Sequence, residues 1–175
     1  ITAVFLGLCF AGYAFSQMMP SGADPVLWKK ALQIHKRAIV IDGHNDITSP
    51  MVDEDLDLGT DTRGKFHRDG DPYHTDIKRL RDGGVTGEFF SIYVSGAAYR
   101  GGGGMRRAMD LIDATYREVE RHPDALSMCT RAEDIRRAKR AGKICALMGI
   151  EGGYAIENSL SALRDFYRLG IRYMT

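Results

Sequence analysis

The stretch Ala38-Ile39-Val40-Ile41-Asp42-Gly43-His44-Asn45-Asp46 contains the strongest indication of the fold. Its first four residues form an apolar run typical of a buried strand, and a polar motif follows directly. Side chains two positions apart on an extended strand point the same way, so we expect His44 and Asp46 to project together from the strand end. An imidazole and a carboxylate that converge there supply half of a metal site.

Three more apolar strands are predicted, within residues 85–94, 144–150 and 171–174, with helical patterns between them. The predicted order is β-α-β-α-α-β-α-β, which is typical of an α/β fold with a parallel sheet. Strands with consecutive apolar residues fit a sheet that is covered on both faces. Residues 53–76 form a long polar excursion, and such loops are usually functional or disordered.

Glu151 follows the third predicted strand and precedes Gly152-Gly153, which leave room for an ion above the strand. Functional groups of parallel α/β folds gather at the carboxyl ends of strands, so Glu151 is expected near His44 and Asp46. A carboxylate there can bridge two divalent ions, which together activate a water for attack on a carbonyl. This donor set suits zinc, and also manganese or cobalt. The alternative is that His44 is an ordinary loop or packing histidine.

Other histidines are weaker candidates. His67 and His74 flank the polar excursion and fit solvent-exposed loop residues better than ligands. Cys129 and Cys145 allow one pairing, which their spacing does not favour, and Cys145 in its apolar run fits a small buried residue. The chain has no CxxC motif, which excludes a cysteine-rich zinc site.

Length and charge place the chain among soluble proteins of about one domain. It has 175 residues and a formal net charge of +1, which gives no reason to expect nucleic acid as a partner. Residues 1–16 are interpreted as a signal peptide whose basic start is missing, with cleavage before Gln17. An uncleaved anchor is the alternative. Export to the periplasm, the extracellular space or a membrane surface follows from this interpretation.

Four segments together resemble one family, the membrane dipeptidases. Residues 39–46 resemble its first-strand motif, 90–94 its second strand, 147–153 its bridging-glutamate strand, and 163–175 the helix and strand that follow. The resemblance implies a (β/α)8 barrel with two zinc ions that cleaves dipeptides, often with a D-residue at the C-terminal side. Some members open β-lactam rings. On this basis His44 and Asp46 hold one ion, and Glu151 bridges both.

The resemblance also implies that the remaining ligands and the catalytic residues follow Thr175. Apart from His44, Asp46 and Glu151, no ligand or catalytic residue is therefore expected within the chain. A full barrel takes about 250 residues. We therefore interpret residues 17–175 as the N-terminal half of a barrel, truncated at its C-terminus, and expect activity from the full-length parent but not from this piece alone. Two alternatives remain: another metal-dependent amidohydrolase or lactonase on the same barrel, and a non-catalytic truncated binding module. A homodimer and membrane association are also left open.

Overall fold

The computed structural model describes residues 18–175, so the predicted signal peptide over residues 1–16 lies outside the described residues. In chain order the elements are α1 (Pro25–Arg37), β1 (Ile41–Asn45), α2 (Thr48–Asp53), α3 (Ile77–Asp82), β2 (Gly87–Tyr93), α4 (Gly104–Arg121), β3 (Leu126–Met128), α5 (Ala132–Arg140), β4 (Ile144–Glu151), a 3₁₀ turn (Gly153–Ile156), α6 (Leu160–Arg168) and β5 (Ile171–Met174). Within residues 18–175, none of the helices combines the length and the apolar character that a membrane crossing requires.

The first strand starts later than the apolar run predicts. Ala38 ends α1, because its N–H bonds to the carbonyl oxygens of Ile34 and His35. The strand therefore begins at Ile41, not at Ala38, and includes His44. The prediction of a strand over residues 38–41 is wrong by three residues at its start.

All strand pairs in the described sheet are parallel, as the alternating pattern predicts. The four longer strands pair in chain order, β1 with β2, β2 with β4, and β4 with β5. The short β3, which the sequence pattern did not predict, pairs with the first half of β4. It lies on the same side of β4 as β5, which pairs with the second half. A parallel sheet whose main strands follow chain order, joined by helices, has the arrangement of the first half of a (β/α)8 barrel.

The core lies on both faces of the central strand β4. On one face Met148 and Ile150 belong to the main cluster, together with Leu111 of α4. On the other face Leu147 packs in a second cluster with Ala138 of α5. The prediction of two covered faces is therefore confirmed for β4, whereas the residues of β1, at the edge of the described sheet, are largely exposed.

Cys129 and Cys145 form a disulfide that links the end of β3 to β4. Cys145 is buried, as predicted, and it also forms the pairing that the sequence did not favour. Both half-cystines are buried, and the chain between them contains α5. The parallel pairing of β3 with β4 brings the two cysteines together. The spacing of the cysteines in the sequence does not reveal that they form a disulfide.

Removing this disulfide is expected to destabilise the fold by about 3 kcal/mol, the loop-closure entropy for a loop of roughly 15 residues. The test is urea unfolding of the full-length protein with Cys129→Ala and Cys145→Ala combined, against the wild type. Wild-type protein in reductant serves as the control and should unfold at the midpoint of the double variant. Equal midpoints for oxidised wild type and double variant would contradict this expectation.

Candidate metal centre

A β-bulge sets the direction of the candidate ligands on β1. Asp42 lies opposite Glu88 of β2, whereas Asn45 lies opposite Phe90, so three steps along β1 match two steps along β2. Because strand side chains alternate between faces, this extra residue moves the rest of the motif to the other face of the sheet. The side chain of Glu151, the last residue of β4, points to the same face. The bulge therefore directs His44 and Asp46 toward Glu151.

The three predicted ligands come together at this end of the sheet. His44 Nε2 lies 2.8 Å from Glu151 Oε2 and 3.4 Å from Asp46 Oδ1. The three ligand atoms all lie within 4.8 Å of one another. The side chains of His44, Asp46 and Glu151 are 38%, 66% and 36% exposed, so an ion can reach them from solvent. One imidazole nitrogen and two carboxylate oxygens fit zinc, manganese or cobalt.

Two further side chains support these ligands, and the sequence did not single them out. Ser91 Oγ donates to Glu151 Oε2 at 3.1 Å. The Tyr173 hydroxyl lies 2.9 Å from His44 Nδ1 and 3.0 Å from the Gly43 carbonyl oxygen. Ser91 is a polar residue within an apolar strand, which is the one signal of its role that the sequence contains.

The pKa of Tyr173 depends on the negative charge of the candidate metal centre. Burial of the ring raises the pKa of the Tyr173 phenol, and the carboxylates of Glu151, Asp46 and Asp42 raise it further. The phenol therefore keeps its proton at neutral pH and stays available as a hydrogen-bond donor. The same carboxylates make this end of the sheet attractive to cations.

A cleft of about 870 Å³ opens beside the candidate ligands, and Asp46 and Glu151 are part of its wall. The polar excursion supplies another part of the wall, including His67 and His74. His74 is exposed, as predicted, whereas His67 is half-buried with its ring 3.9 Å from that of Tyr73. The excursion is thus an ordered wall of the cleft, and neither histidine joins the ligand group found among the described residues.

A second group of acidic and histidine side chains lies elsewhere and has a structural explanation. His122 Nε2 lies 2.7 Å from Asp57 Oδ1, and the buried Glu118 accepts from the backbone N–H of Leu58 at 3.1 Å. Arg121 also pairs with Glu118 and so neutralises part of the charge that would attract an ion. We interpret this group as an ionic tie between α4 and the loop at residues 57–59.

The parallel sheet with its main strands in chain order, and the donor set at its carboxyl end, are typical of an α/β barrel protein with a candidate metal centre. Residues 28–175 match the family model described as membrane dipeptidase (peptidase family M19). The chain therefore belongs to the membrane dipeptidase family, and the resemblance inferred from the motifs is confirmed.

A curated relative supports this assignment, and solved structures show the same fold. The chain is 37% identical over 153 residues to the dipeptidase ataJ of Aspergillus terreus, a match that covers 83% of this chain and 37% of that protein. The solved dipeptidase AC, an M19 metallopeptidase, aligns with a TM-score of 0.63 at 24% identity, over 78% of this chain and 41% of that one.

A Rhodobacter sphaeroides metallopeptidase, solved with a phosphinate mimic of L-Ala-D-Ala, aligns with a TM-score of 0.61 at 23% identity. The match covers 78% of this chain and 44% of that one. The chain thus spans between 37% and 44% of the length of these three proteins. The fold of the M19 structures is the (β/α)8 barrel, and this chain contains its N-terminal part, as predicted.

Proposed function

We propose that the full-length protein is a zinc-dependent dipeptidase with two metal ions. His44 and Asp46 would hold one ion, and Glu151 would bridge both. The observation that supports this most strongly is the convergence of these three side chains from β1 and β4, with ligand atoms within 4.8 Å of one another. Membership of the dipeptidase family supports the substrate class.

Bound zinc supplies Lewis acidity and lowers the pKa of a coordinated water, so that peptide hydrolysis proceeds at neutral pH. The residues of this chain orient the site for that chemistry. Ser91 donates to one carboxylate oxygen of Glu151 and limits the rotation of that side chain. His44 presents its Nε2 atom to the centre while Tyr173 contacts the other ring nitrogen.

The charge of the cleft suits the free amino end of a dipeptide. Of the described residues that line it, six are Asp or Glu and none is Lys or Arg. Asp53 is neutralised by its bidentate pair with Arg107, but Asp69 and Asp71 add negative charge to the wall of the cleft. A negatively charged wall favours a substrate ammonium group over a blocked amine.

Turnover of free dipeptides by the zinc-loaded full-length protein tests this function. We expect hydrolysis of L-Ala-D-Ala, loss of activity with a chelator and recovery with zinc. An N-acetylated dipeptide and a lactone serve as comparison substrates. Hydrolysis of the lactone without dipeptide turnover would favour the amidohydrolase or lactonase alternative. Absence of both zinc and turnover would favour the binding-module alternative.

We also propose that the protein is exported. The Cys129–Cys145 disulfide supports this location, because disulfides persist in oxidising compartments. The apolar start of the sequence supports it independently. Membrane association and a homodimer stay predictions that tests on the full-length protein must decide.

The isolated 175-residue chain is expected to show no dipeptidase activity. The edge strands of the described sheet expose apolar side chains, with Ile41 of β1 45% and Met174 of β5 41% exposed. Such edges favour association of chains rather than a closed barrel. The measurement is zinc-dependent dipeptide turnover together with size-exclusion chromatography, with full-length protein as the control. A monomeric isolated chain that hydrolyses dipeptides at the full-length rate would contradict this prediction.

A further inference from the structure

Tyr173 connects the last strand of the described sheet to the first. Its hydroxyl lies 2.9 Å from His44 Nδ1 and 3.0 Å from the Gly43 carbonyl oxygen. Gly43 is part of the bulged stretch of β1 that directs the ligands of this strand. One hydroxyl thus contacts both the ring of a candidate ligand and the backbone that carries it.

The two contacts together place a proton on the Nδ1 atom of His44. A carbonyl oxygen only accepts, so the single phenol proton of Tyr173 is donated to Gly43. The phenol oxygen can then only accept from His44, which requires a proton on Nδ1. Nε2 faces Asp46 and Glu151 and donates to Glu151 Oε2 at 2.8 Å, so an ion bound at Nε2 would replace the Nε2 proton while Nδ1 keeps its own.

The position of Tyr173 depends on a glycine in the neighbouring strand. Gly149 of β4 lies beside Tyr173 in the β4–β5 register. A Cβ atom at Gly149 would lie 2.1 Å from Tyr173 Cζ, so any side chain there displaces the ring. The absence of a side chain at position 149 therefore allows the phenol to cross β4 and reach β1.

We propose that Tyr173 is a positioning residue that holds His44 in its metal-binding tautomer and orientation, with Gly149 providing the space that this requires. The inference rests on the proposed metal centre and goes beyond it, because it assigns a role to a residue outside the proposed ligand set. Partners that orient a metal-binding histidine typically contribute 10- to 100-fold in metal affinity.

The test compares Tyr173→Phe with Tyr167→Phe in the full-length protein. Tyr167 is an exposed tyrosine of α6, six positions earlier, and serves as the matched control. Zinc affinity is measured by competition with a chromophoric chelator. We expect roughly a 10- to 100-fold weaker affinity for Tyr173→Phe and wild-type affinity for Tyr167→Phe. Gly149→Ala is expected to weaken zinc binding in the same direction.

A second measurement separates positioning from a purely structural role. In cobalt-loaded protein the ring N–H protons of ligand histidines give shifted NMR signals, which persist in water when the N–H is hydrogen-bonded. Tyr173→Phe should lose or broaden one of these signals, and Tyr167→Phe should lose none. Lower thermal stability of Tyr173→Phe with unchanged zinc affinity and unchanged signals would overturn the inference. Failure of the wild type to bind metal would instead overturn the proposed function.

Discussion

Glu151→Gln is expected to lower kcat/KM for dipeptide hydrolysis by about 10³-fold or more, on the order of 4 kcal/mol of transition-state stabilisation. A carboxylate can place one charged oxygen on each of two ions, whereas an amide is neutral and has a single oxygen. The substitution also weakens the contact between Glu151 Oε2 and His44 Nε2, which are 2.8 Å apart. The loss should therefore appear both in the rate and in the bound metal.

Steady-state kinetics and elemental analysis of the purified full-length variant measure these two effects. We expect two zinc ions per wild-type chain and fewer in Glu151→Gln. Glu120→Gln, at an exposed glutamate of α4, is the matched control and should retain wild-type rate and zinc content. A Glu151→Gln variant that keeps two zinc ions and the wild-type kcat/KM would rule out the bridging role.

Glu88→Gln is expected to stabilise the protein in alkaline solution and to have little effect in acid. Glu88 of β2 is fully buried, and neither of its carboxyl oxygens has a hydrogen-bond partner among the described residues. Burial, with a smaller contribution from the Asp42 carboxylate, raises its pKa from 4.5 to about 8, and the nearby Asn45 side chain, which lies outside hydrogen-bonding geometry, offsets only a small part of this rise. The folded protein thus keeps a proton on Glu88 that the unfolded chain releases near pH 4.5.

The sign of the effect follows from this difference in bound protons. Between about pH 4.5 and 8 the folded state holds the extra proton, so Glu88 makes the protein progressively less stable as the pH rises. Above pH 8 the ionised carboxylate is buried without a partner, which costs on the order of several kcal/mol. Glutamine has the shape of the protonated acid and carries no charge, so its contribution does not change with pH.

Urea unfolding of the metal-loaded full-length protein at pH 5, 7 and 9 tests this prediction. Wild type and Glu88→Gln should have similar free energies of unfolding at pH 5, and the variant should be more stable by several kcal/mol at pH 9. Glu120→Gln should follow the wild-type curve throughout. Any pH dependence of metal binding affects all three proteins, so it cancels in the differences. Parallel curves for wild type and Glu88→Gln would contradict the assigned pKa.

Features that depend on period and chain order could be predicted from the sequence. The alternation of strands and helices predicted the parallel sheet, and the polar residues after two apolar runs identified His44, Asp46 and Glu151 as neighbours. These inferences succeed because the carboxyl ends of parallel strands meet at one edge, whatever the details of packing. Their assignment as metal ligands stays a prediction.

Features that depend on register and tertiary contact could not be predicted. The bulge near Gly43 leaves the sequence pattern of β1 unchanged, yet it decides which face the ligands occupy. The contact between Tyr173 and His44 joins residues 129 positions apart, and no local pattern predicts it. The strand β3 has three residues, which are too few for a periodic signal. Because β3 could not be predicted, nothing in the sequence placed Cys129 beside Cys145.

Anomalous diffraction at the zinc absorption edge, from crystals of the zinc-loaded full-length protein, tests the central claim most directly. We expect two anomalous peaks about 3.5–4 Å apart, with the Glu151 carboxylate between them. His44 Nε2 and Asp46 should contact one of the two ions. Peaks remote from these three side chains, or no peak in fully active protein, would contradict the proposed metal centre.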